Sequence, residues 1–358
     1  MPSTHLDDVA DRLAIALSCS DAGAWARLDQ HIRAVLPRDE HVVPPTDTPV
    51  TATALALALC GPDGRTREAA LSLVGASPAL LPLVVVRCAD WAAPVRNRAR
   101  AVLRAEVPGL APVHLGRLTA VALAAGDRLR GGEALELLTT ALREGPAVGV
   151  TGLLDSEDRR MRRLAHRIAV ERGLLSPARL AVIASTGHDV VVQDLCADAA
   201  LAAAGGEPDD SVLAPLLRAR LGRVRAAGVT ALRAAGRPGE AVPYLCDRSA
   251  VVRGSARWVL RRTGTDPLPL YRAVCAEADA MPPDAPLGLA ECGDRATDAD
   301  MLWALTEHPR PRVRASAVAG LRLLDAVRCD GAGSERLARL LDDTSPRVVR
   351  AAESALAP

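Results

Sequence analysis

Apolar positions along the chain recur with the period of amphipathic helices. In the stretch DWAAPVRNRARAVLR, residues 90 to 104, Val95, Ala99, Val102 and Leu103 fall on one side of a helix when each residue turns by about 100°. The stretch DRSAVVRGSARWVL, residues 247 to 260, repeats the arrangement, and both follow D-x-x-x-x-V-R-x-x-A-x-x-V-L. Because this helical pattern recurs, it predicts a repeat protein.

The copies of the pattern are spaced about one small helical unit apart. Counted at the Arg position, successive copies lie about 30 residues apart, except for two steps about twice as long that each hide a degenerate copy, near Arg130 and near Leu287. A unit of this length has room for two helices and two turns. The sequence therefore predicts about ten two-helix units.

The spacing within one unit resembles a HEAT repeat of the short bacterial, phycobilisome-lyase-like type. Pro82 in a first helix, Asp90 eight residues later and the pair Val95 and Arg96 reproduce the family spacing, whereas Pro243 and Asp247 are four residues closer together. The resemblance implies an all-α fold, a right-handed α-solenoid of about ten two-helix HEAT-like repeats. It implies little about activity, because the family is a scaffold with many functions.

The repeat pattern runs from residue 51 to residue 358. Residues 1–36 read as helical without the pattern, and we expect an N-terminal helical cap or extension there, joined by a linker at 37–50. Residues 264–300 are acidic and rich in Pro and Gly, which predicts one irregular repeat within the solenoid.

Composition excludes several classes of protein. The chain has no Phe, two Tyr and four Trp, so that small aliphatic side chains carry the core, as suits closely packed helices. All 44 basic residues are Arg, but the net charge is +1, which gives no overall preference for nucleic acid or anionic membranes. Eight cysteines without a C-x-x-C pair predict free thiols and a cytoplasmic location, and no apolar run is long enough to span a membrane.

Motifs for catalysis are missing from the sequence. The histidines and cysteines lack metal-ligand spacing, and there is no P-loop, dinucleotide fingerprint or nucleophile elbow, so we predict no catalytic residue, metal or cofactor. One enzyme alternative stays open, because helical arrays that resemble alkylpurine DNA glycosylases use a basic groove, tryptophans and an acid. Trp91, Trp258, Asp90 and Asp247 are the residues available, but we expect the tryptophans to fill the core and the aspartates to serve in turns.

Arginines are concentrated in the predicted second helices. Five windows, 94–104, 159–172, 218–233, 248–262 and 310–322, hold 24 arginines and one acid. The repeat Arg occupies what we call the first flank position of its helix, and further arginines lie one and two helical turns later on the same flank, at the second and third flank positions.

The flank positions have different expected roles. We expect the arginines at the first flank position to pair with turn acids such as Asp90, Asp247 and Asp343. As candidate partner-binding residues the pattern indicates Arg96, Arg100, Arg104, Arg162, Arg225, Arg233, Arg253, Arg257, Arg261, Arg314 and Arg322.

The arginine strip leads to a hypothesis with alternatives. We expect a non-catalytic protein-interaction scaffold that binds an acidic partner segment along an arginine-lined groove. A nucleic-acid-binding protein, in one form a DNA-glycosylase-like enzyme, is the alternative. The acidic stretch at 277–300, with seven acids, is an internal rival for the same charge. The sequence leaves the oligomeric state open.

Overall fold

The computed structural model describes residues 3–18, 21–36, 50–126, 130–277, 279–326 and 331–357. Every regular element in these ranges is helical. The chain forms two compact units, Met1–Leu174 and Leu175–Pro358. Apart from Val50, the predicted linker at 37–50 lies outside the described residues.

The described part of unit 1 contains an N-terminal helical hairpin and four helix pairs. The hairpin, α1 and α2, packs against the first helices of the pairs, and these first helices in turn pack side by side. The helices of unit 1 are α1 (Ser3–Ser18), α2 (Gly23–Val35), α3 (Ala52–Cys60), α4 (Gly64–Leu71), α5 (Leu81–Arg87), α6 (Ala93–Glu106), α7 (Pro112–Ala125), α8 (Gly132–Glu144), α9 (Ala147–Thr151) and α10 (Arg159–Glu171).

Unit 2, over its described ranges, contains six further pairs. A 3₁₀ segment at Pro238–Cys246 takes the place of the first helix before α15, and the second helices α12, α14 and α15 pack in sequence, as do α17, α19 and α21. Its helices are α11 (Pro177–Thr186), α12 (Val190–Ala203), α13 (Asp210–Arg218), α14 (Gly222–Ala234), α15 (Ala250–Arg262), α16 (Pro267–Ala276), α17 (Ala285–Ala290), α18 (Arg295–Leu305), α19 (Pro311–Leu323), α20 (Gly331–Arg339) and α21 (Pro346–Leu356).

The predicted all-α solenoid is confirmed: both units are stacks of helix pairs with like helices side by side. The two degenerate copies are the pairs whose second helices are α8, which begins at Gly132, and α17, which has only six residues. The handedness and the short bacterial subtype stay predictions.

Local sequence signals explain where the helices begin. The side chains of Asp63, Asp158 and Asp189 accept hydrogen bonds from the first free backbone N–H groups of α4, α10 and α12. Ser176 does the same for α11, where Pro177 occupies the first helical position and has no N–H to satisfy.

Four second helices, α10, α14, α15 and α19, share a way of ending. Gly173, Gly236 and Gly264 follow α10, α14 and α15 with φ of 64°, 70° and 86°, in the left-handed region that costs glycine little. The next N–H then bonds back to a carbonyl in the last turn of the helix, as in the 2.9 Å bond from Arg237 to Leu232. Asp325 takes this place after α19, with φ 52°.

Gly288 in α17 allows an unusually close approach of Tyr271. A Cβ at position 288 would lie 2.3 Å from the Tyr271 ring, whose hydroxyl donates a 2.6 Å hydrogen bond to the carbonyl of Leu245. Tyr271 is buried and belongs to the hydrophobic core of unit 2. The short helix α17 therefore depends on a residue without a side chain.

We predict that Gly288→Ala lowers the free energy of unfolding by about 1 to 3 kcal/mol, because the Tyr271 ring would be displaced from a close-packed site. Gly254→Ala in α15 is the matched control, since the only atom near its Cβ is the end of the Arg257 side chain, 3.9 Å away. The control gains up to about 1 kcal/mol from helix propensity. Urea denaturation followed by far-UV circular dichroism measures both. Equal stability of the two variants would contradict the packing argument.

Candidate functional site

Arginines at the first flank position link successive helix pairs. In each of these ladder arginines, Nη1 donates to the carbonyls six and five residues earlier, in the turn of its own pair, while Nε and Nη2 hold the turn acid of the next pair. This ladder bond is bidentate in Arg67–Asp90 (3.0 and 3.1 Å), Arg225–Asp247 (2.7 and 2.9 Å) and Arg314–Asp343 (2.8 Å for both). The carbonyl bonds lie between 2.7 and 3.0 Å in these three residues.

Arg253 is a variant of the ladder arginine. It donates to the carbonyl of Asp247 at 2.8 Å, in the turn of its own pair, as the other ladder arginines do. Its acid is Glu291, which follows the short helix α17. The link between pairs is therefore kept with an acid from a different place in the next pair.

Two other arginines at the first flank position keep the bonds to their own turn. Arg162 donates to the carbonyls of Ser156 and Glu157. Arg96 was expected to pair with the Asp90 carboxylate, but it donates to the main-chain carbonyl of Asp90 at 2.7 Å. The Asp90 carboxylate is held instead by the arginine of the preceding pair, Arg67.

The first flank position of α12 carries no charge, and the turn of the next pair carries no acid. Gln193 occupies the position in α12 and donates a 2.9 Å hydrogen bond to the carbonyl of Ala184. The turn of the next pair, residues 219 to 221, reads ARL. A buried charge without a counter-charge is costly, so an Arg at position 193 would be unfavourable beside a turn that has no acid. The uncharged Gln193 avoids this cost.

The turn acids have two jobs. Asp90, Asp247 and Asp343 each bind a ladder arginine and also accept a backbone N–H two residues later, at 2.8 to 2.9 Å. The hydrogen bond from Arg314 and that from the Ser345 N–H lower the pKa of Asp343 below its ordinary value, against the opposing effect of burial. The acid therefore stabilises both the turn and the contact between pairs.

Asp90 also joins the N-terminal hairpin to the repeats. The fully buried side chain of Arg87 bonds to Asp90 at 2.9 Å and to Asp29 in α2, and Arg33 bonds to Asp29 at 3.0 Å. Asp29 and Asp90 are both buried. The hairpin thus contributes a charged group, Asp29, to the interior of unit 1. The sequence did not predict this contact, because the hairpin does not have the repeat pattern.

Arginines at the second flank position are neutralised within the molecule. Arg100 forms an ion pair with Glu133, and Arg104 shares the same carboxylate; Glu133 lies in the first turn of α8, where the helix dipole favours an acid. Arg257 binds Glu291 and lies 3.3 Å from the Tyr271 hydroxyl. One of the seven acids in the segment 277–300 therefore satisfies two predicted partner-binding arginines, Arg253 and Arg257.

The arginines at the third flank position of unit 2 remain accessible. Arg233, Arg261 and Arg322 lie in the last turns of α14, α15 and α19 and are exposed. Arg322 donates to the Ser354 hydroxyl at 2.8 Å, and the Arg233 guanidinium lies 5.4 Å from the centre of the Trp258 ring. No carboxylate among the described residues lies within ion-pair distance of these three.

Trp258 turns this region into a mixed surface. The residue was expected to fill the core, but it is 44% exposed, and Trp91, for which the same was expected, is 66% exposed. Arg261 follows Trp258 by one helical turn, so the two side chains share a face of α15. We call Arg233, Trp258 and Arg261 the Trp258 patch.

The surroundings of the Trp258 patch are strongly basic. The windows 218–233 and 248–262 together carry ten arginines and no acid. Acids from elsewhere bind Arg223, Arg225, Arg253 and Arg257. These acids bind other arginines, so none of the described acids neutralises Arg233 or Arg261. The Trp258 patch can therefore attract and hold an anionic group.

Two features of the described residues bear on catalysis, their potential metal ligands and their thiols. No three His, Cys, Asp or Glu side chains there lie close enough to hold a metal ion. Burial raises the pKa of the Cys60, Cys88 and Cys275 thiols to about 12, which suppresses the reactive thiolate. In the same ranges no helix is long and apolar enough to cross a membrane.

Comparisons with known proteins give a limited picture. No family model matches the chain, and no curated protein does. Among solved structures, the karyopherin Kap121p bound to the extreme C-terminus of the protein phosphatase Cdc14p is 14% identical, with a TM-score of 0.32 over 93% of this chain and 46% of that one. A further crystal structure of Kap121p gives 15% identity and a TM-score of 0.29 over 99% of this chain and 44% of that one. An engineered protein gives 18% and 0.24 over 98% and 94%.

The chain therefore spans less than half the length of the karyopherin chains it matches. What defines its class is its own architecture, an all-α solenoid of helix pairs linked by ladder arginines.

The sequence indicated the acidic stretch that contains Glu291 as an internal counter-charge, but it did not indicate Glu133. Glu133 and Glu291 lie about one repeat further along the chain than Arg100 and Arg257, respectively. An alignment of the repeats to one another contains this signal. The exposure of Trp258 had no comparable signal in the sequence. The position of a residue in the repeat gives the direction of its side chain around the helix axis, but not whether other residues pack on that side chain.

We predict that the stability contributed by Asp343 depends on pH. Its pKa is lower in the folded state than the ordinary 3.8, so its contribution is fully present above that value and is lost as the pH falls through the folded-state pKa. Asp343→Asn should therefore be less stable than the native chain at pH 7, with the gap closing as the pH falls toward about 2. Denaturant titrations at several pH values measure the gap, with Asp342→Asn as a control at an exposed neighbour. A gap that stays constant with pH would contradict the ladder.

We predict different coupling energies for two arginine pairs. Arg257 and Glu291 are each 14% exposed, whereas Arg104 and Glu133 are 55% and 37% exposed. A double-mutant cycle on the first pair should give about 1 to 3 kcal/mol, and one on the second below about 1 kcal/mol. Arg→Met and Glu→Gln substitutions, measured by urea denaturation, supply both cycles. Equal couplings would show that Arg257 has no structural role beyond that of a surface charge.

Proposed function

We propose that this protein is a non-catalytic protein-interaction scaffold that binds an acidic partner segment along its second helices. The observation that supports it is the Trp258 patch, where exposed arginines flank an exposed tryptophan and the described carboxylates leave them without an ion pair. The proposal includes a cytoplasmic location, which the free cysteines support.

The chemistry of the patch suits a carboxylate-bearing segment with an apolar side chain. A guanidinium can bind a carboxylate through two parallel hydrogen bonds, and Arg233 and Arg261 present two such groups on neighbouring helices. Trp258 offers a large apolar surface between them, and Trp and Arg are among the residues that most often carry binding energy at protein interfaces. A partner with Glu or Asp on either side of a Leu or Met would use all three residues.

The proposal concentrates on few of the arginines in the second helices. Arg233, Arg261 and Arg322 of unit 2 carry the binding role, whereas Arg104 of unit 1 is bound by Glu133. The remaining candidates already have bonds within the molecule: Arg96, Arg100, Arg162, Arg225, Arg253, Arg257 and Arg314.

The DNA-glycosylase alternative loses its acids. Asp90 is bound by Arg67 and Arg87, and Asp247 by Arg225, so neither carboxylate is available as a general base. Plain nucleic-acid binding needs only the basic surface, and it is therefore an outcome that the following experiment separates.

We predict that the native protein binds a labelled peptide with four Glu residues around a central Leu, measured by fluorescence anisotropy at about 0.15 M salt. The double variant R233E/R261E should bind at least about tenfold more weakly, because two charge-assisted contacts become repulsive. The control R179E/R339E has the same change in net charge and alters two exposed arginines of first helices, and it should bind as the native chain does.

Two results would overturn the proposal. If both double variants lose binding equally, the peptide responds to overall charge and not to the Trp258 patch. If a short DNA duplex binds the native chain more tightly than the peptide does, and R233E/R261E abolishes that binding, the nucleic-acid alternative replaces the scaffold.

A further inference from the structure

Unit 1 contains a cavity that the arginine strip does not involve. It has a volume of about 770 Å³ and lies among the end of α1, the start of α2, the residues before and in α5, and the helices α7 and α9. Ligand sites for small molecules have volumes of roughly 300 to 1,000 Å³ and mostly apolar walls. The size of this cavity thus falls within the range of a small-molecule site.

Aliphatic side chains form most of its walls. α1 contributes Leu17, α7 contributes Val113 and Val121, and Val148 in α9 and Leu153 just after it complete this set. Leu17, Val113 and Val148 are 37%, 62% and 64% exposed, which is unusual for apolar side chains that share one concave surface. The walls therefore present apolar area that the described residues leave uncovered.

The wall of the cavity also carries an exposed cation. Arg117 lies in the middle of α7, and no described carboxylate lies within ion-pair distance of it. Asp21, the acid in the wall, is bound by Arg27, and His114 lies about one helical turn before Arg117. The electrostatics of the cavity therefore favour a ligand with one anionic group.

The lining argues for a flexible aliphatic ligand over a heterocyclic one. Among the described lining residues, Trp25 is the one large aromatic side chain, and few polar side chains accompany it. A nucleotide, flavin or similar ring system requires several hydrogen-bond partners and stacking surfaces. An alkyl chain needs only apolar area, and its carboxylate needs only a cation.

We propose that this cavity binds an aliphatic carboxylate, with its alkyl chain against Leu17, Val113 and Val148 and its carboxylate on Arg117. The site is separate from the Trp258 patch and requires nothing of the function proposed for that patch.

Isothermal titration of the full chain with octanoate, decanoate and dodecanoate, below their micelle concentrations, tests the proposal. Affinity should rise about fourfold for each added methylene, as expected for transfer of the chain into an apolar site. Decanol and decyltrimethylammonium should bind at least about tenfold more weakly than decanoate, because they lack the anion that Arg117 attracts. The fluorescence of Trp25, which is 6% exposed and lines the cavity, should change on binding of decanoate.

Variants with matched controls locate the site. V113W/V148W fills the cavity from two exposed positions and should abolish binding, whereas V190W/V191W changes two valines of α12, each 48% exposed, and should leave it intact. R117Q should weaken decanoate about tenfold and leave decanol unchanged, with R179Q as the control. Circular dichroism verifies that each variant is folded.

Three outcomes would overturn the inference. The first is the absence of saturable decanoate binding to the native chain, the second is equal loss of binding in V113W/V148W and V190W/V191W, and the third is an affinity for decanoate that R117Q does not change.

Discussion

The stacking of successive helix pairs depends on arginines whose guanidinium group forms hydrogen bonds to two pairs at once. A ladder arginine uses one nitrogen to cap its own turn and the other two to hold the turn acid of the next pair, as Arg225 does with Ala219 and Asp247. Removing water from an arginine is costly, and the cost is offset only when nearly every donor finds an acceptor at good distance. Loss of one partner of a buried ion pair typically costs about 3 to 5 kcal/mol. Each ladder bond, which we call a rung, therefore favours one distance between neighbouring helix pairs and one register of the second helix.

Position around the second helix decides what each arginine does. At the first flank position the guanidinium points into the stack and becomes part of the scaffold, and at the second it reaches the next pair, where Glu133 or Glu291 meets it. At the third, near the helix end, the arginines of unit 2 face solvent. The second helices are consequently less positive than their arginine content indicates, and Arg233 and Arg261 beside Trp258 are among the arginines for which the described residues supply no carboxylate. In the binding proposed for this surface, the placement of a few contacts matters more than total charge.

The sequence predicts the fold well and the site only in part. The repeat of D-x-x-x-x-V-R is itself the trace of the ladder, so the period of the pattern and the number of helix pairs follow from it. The pattern contains Arg96 and Arg225 in equivalent positions. Among the described residues Arg225 holds a carboxylate and Arg96 does not, because the acid comes from the next pair and not from the local motif. Three features depend on segments that lie far apart in the chain: the exposure of Trp258, the cavity beside Arg117 and the bond between Arg87 and Asp29. No local periodicity encodes such features.

Gln193 and its turn without acid show how the array tolerates change. A rung needs two residues from different pairs, and here both members are uncharged, which leaves the interior neutral. Mutation of either member alone would trap a charge, so the two positions must change together. Duplication or deletion of a pair that has both a turn acid and a ladder arginine, by contrast, leaves every acid with an arginine. Such an array can gain or lose whole helix pairs more easily than it can tolerate a substitution at one residue of a ladder bond.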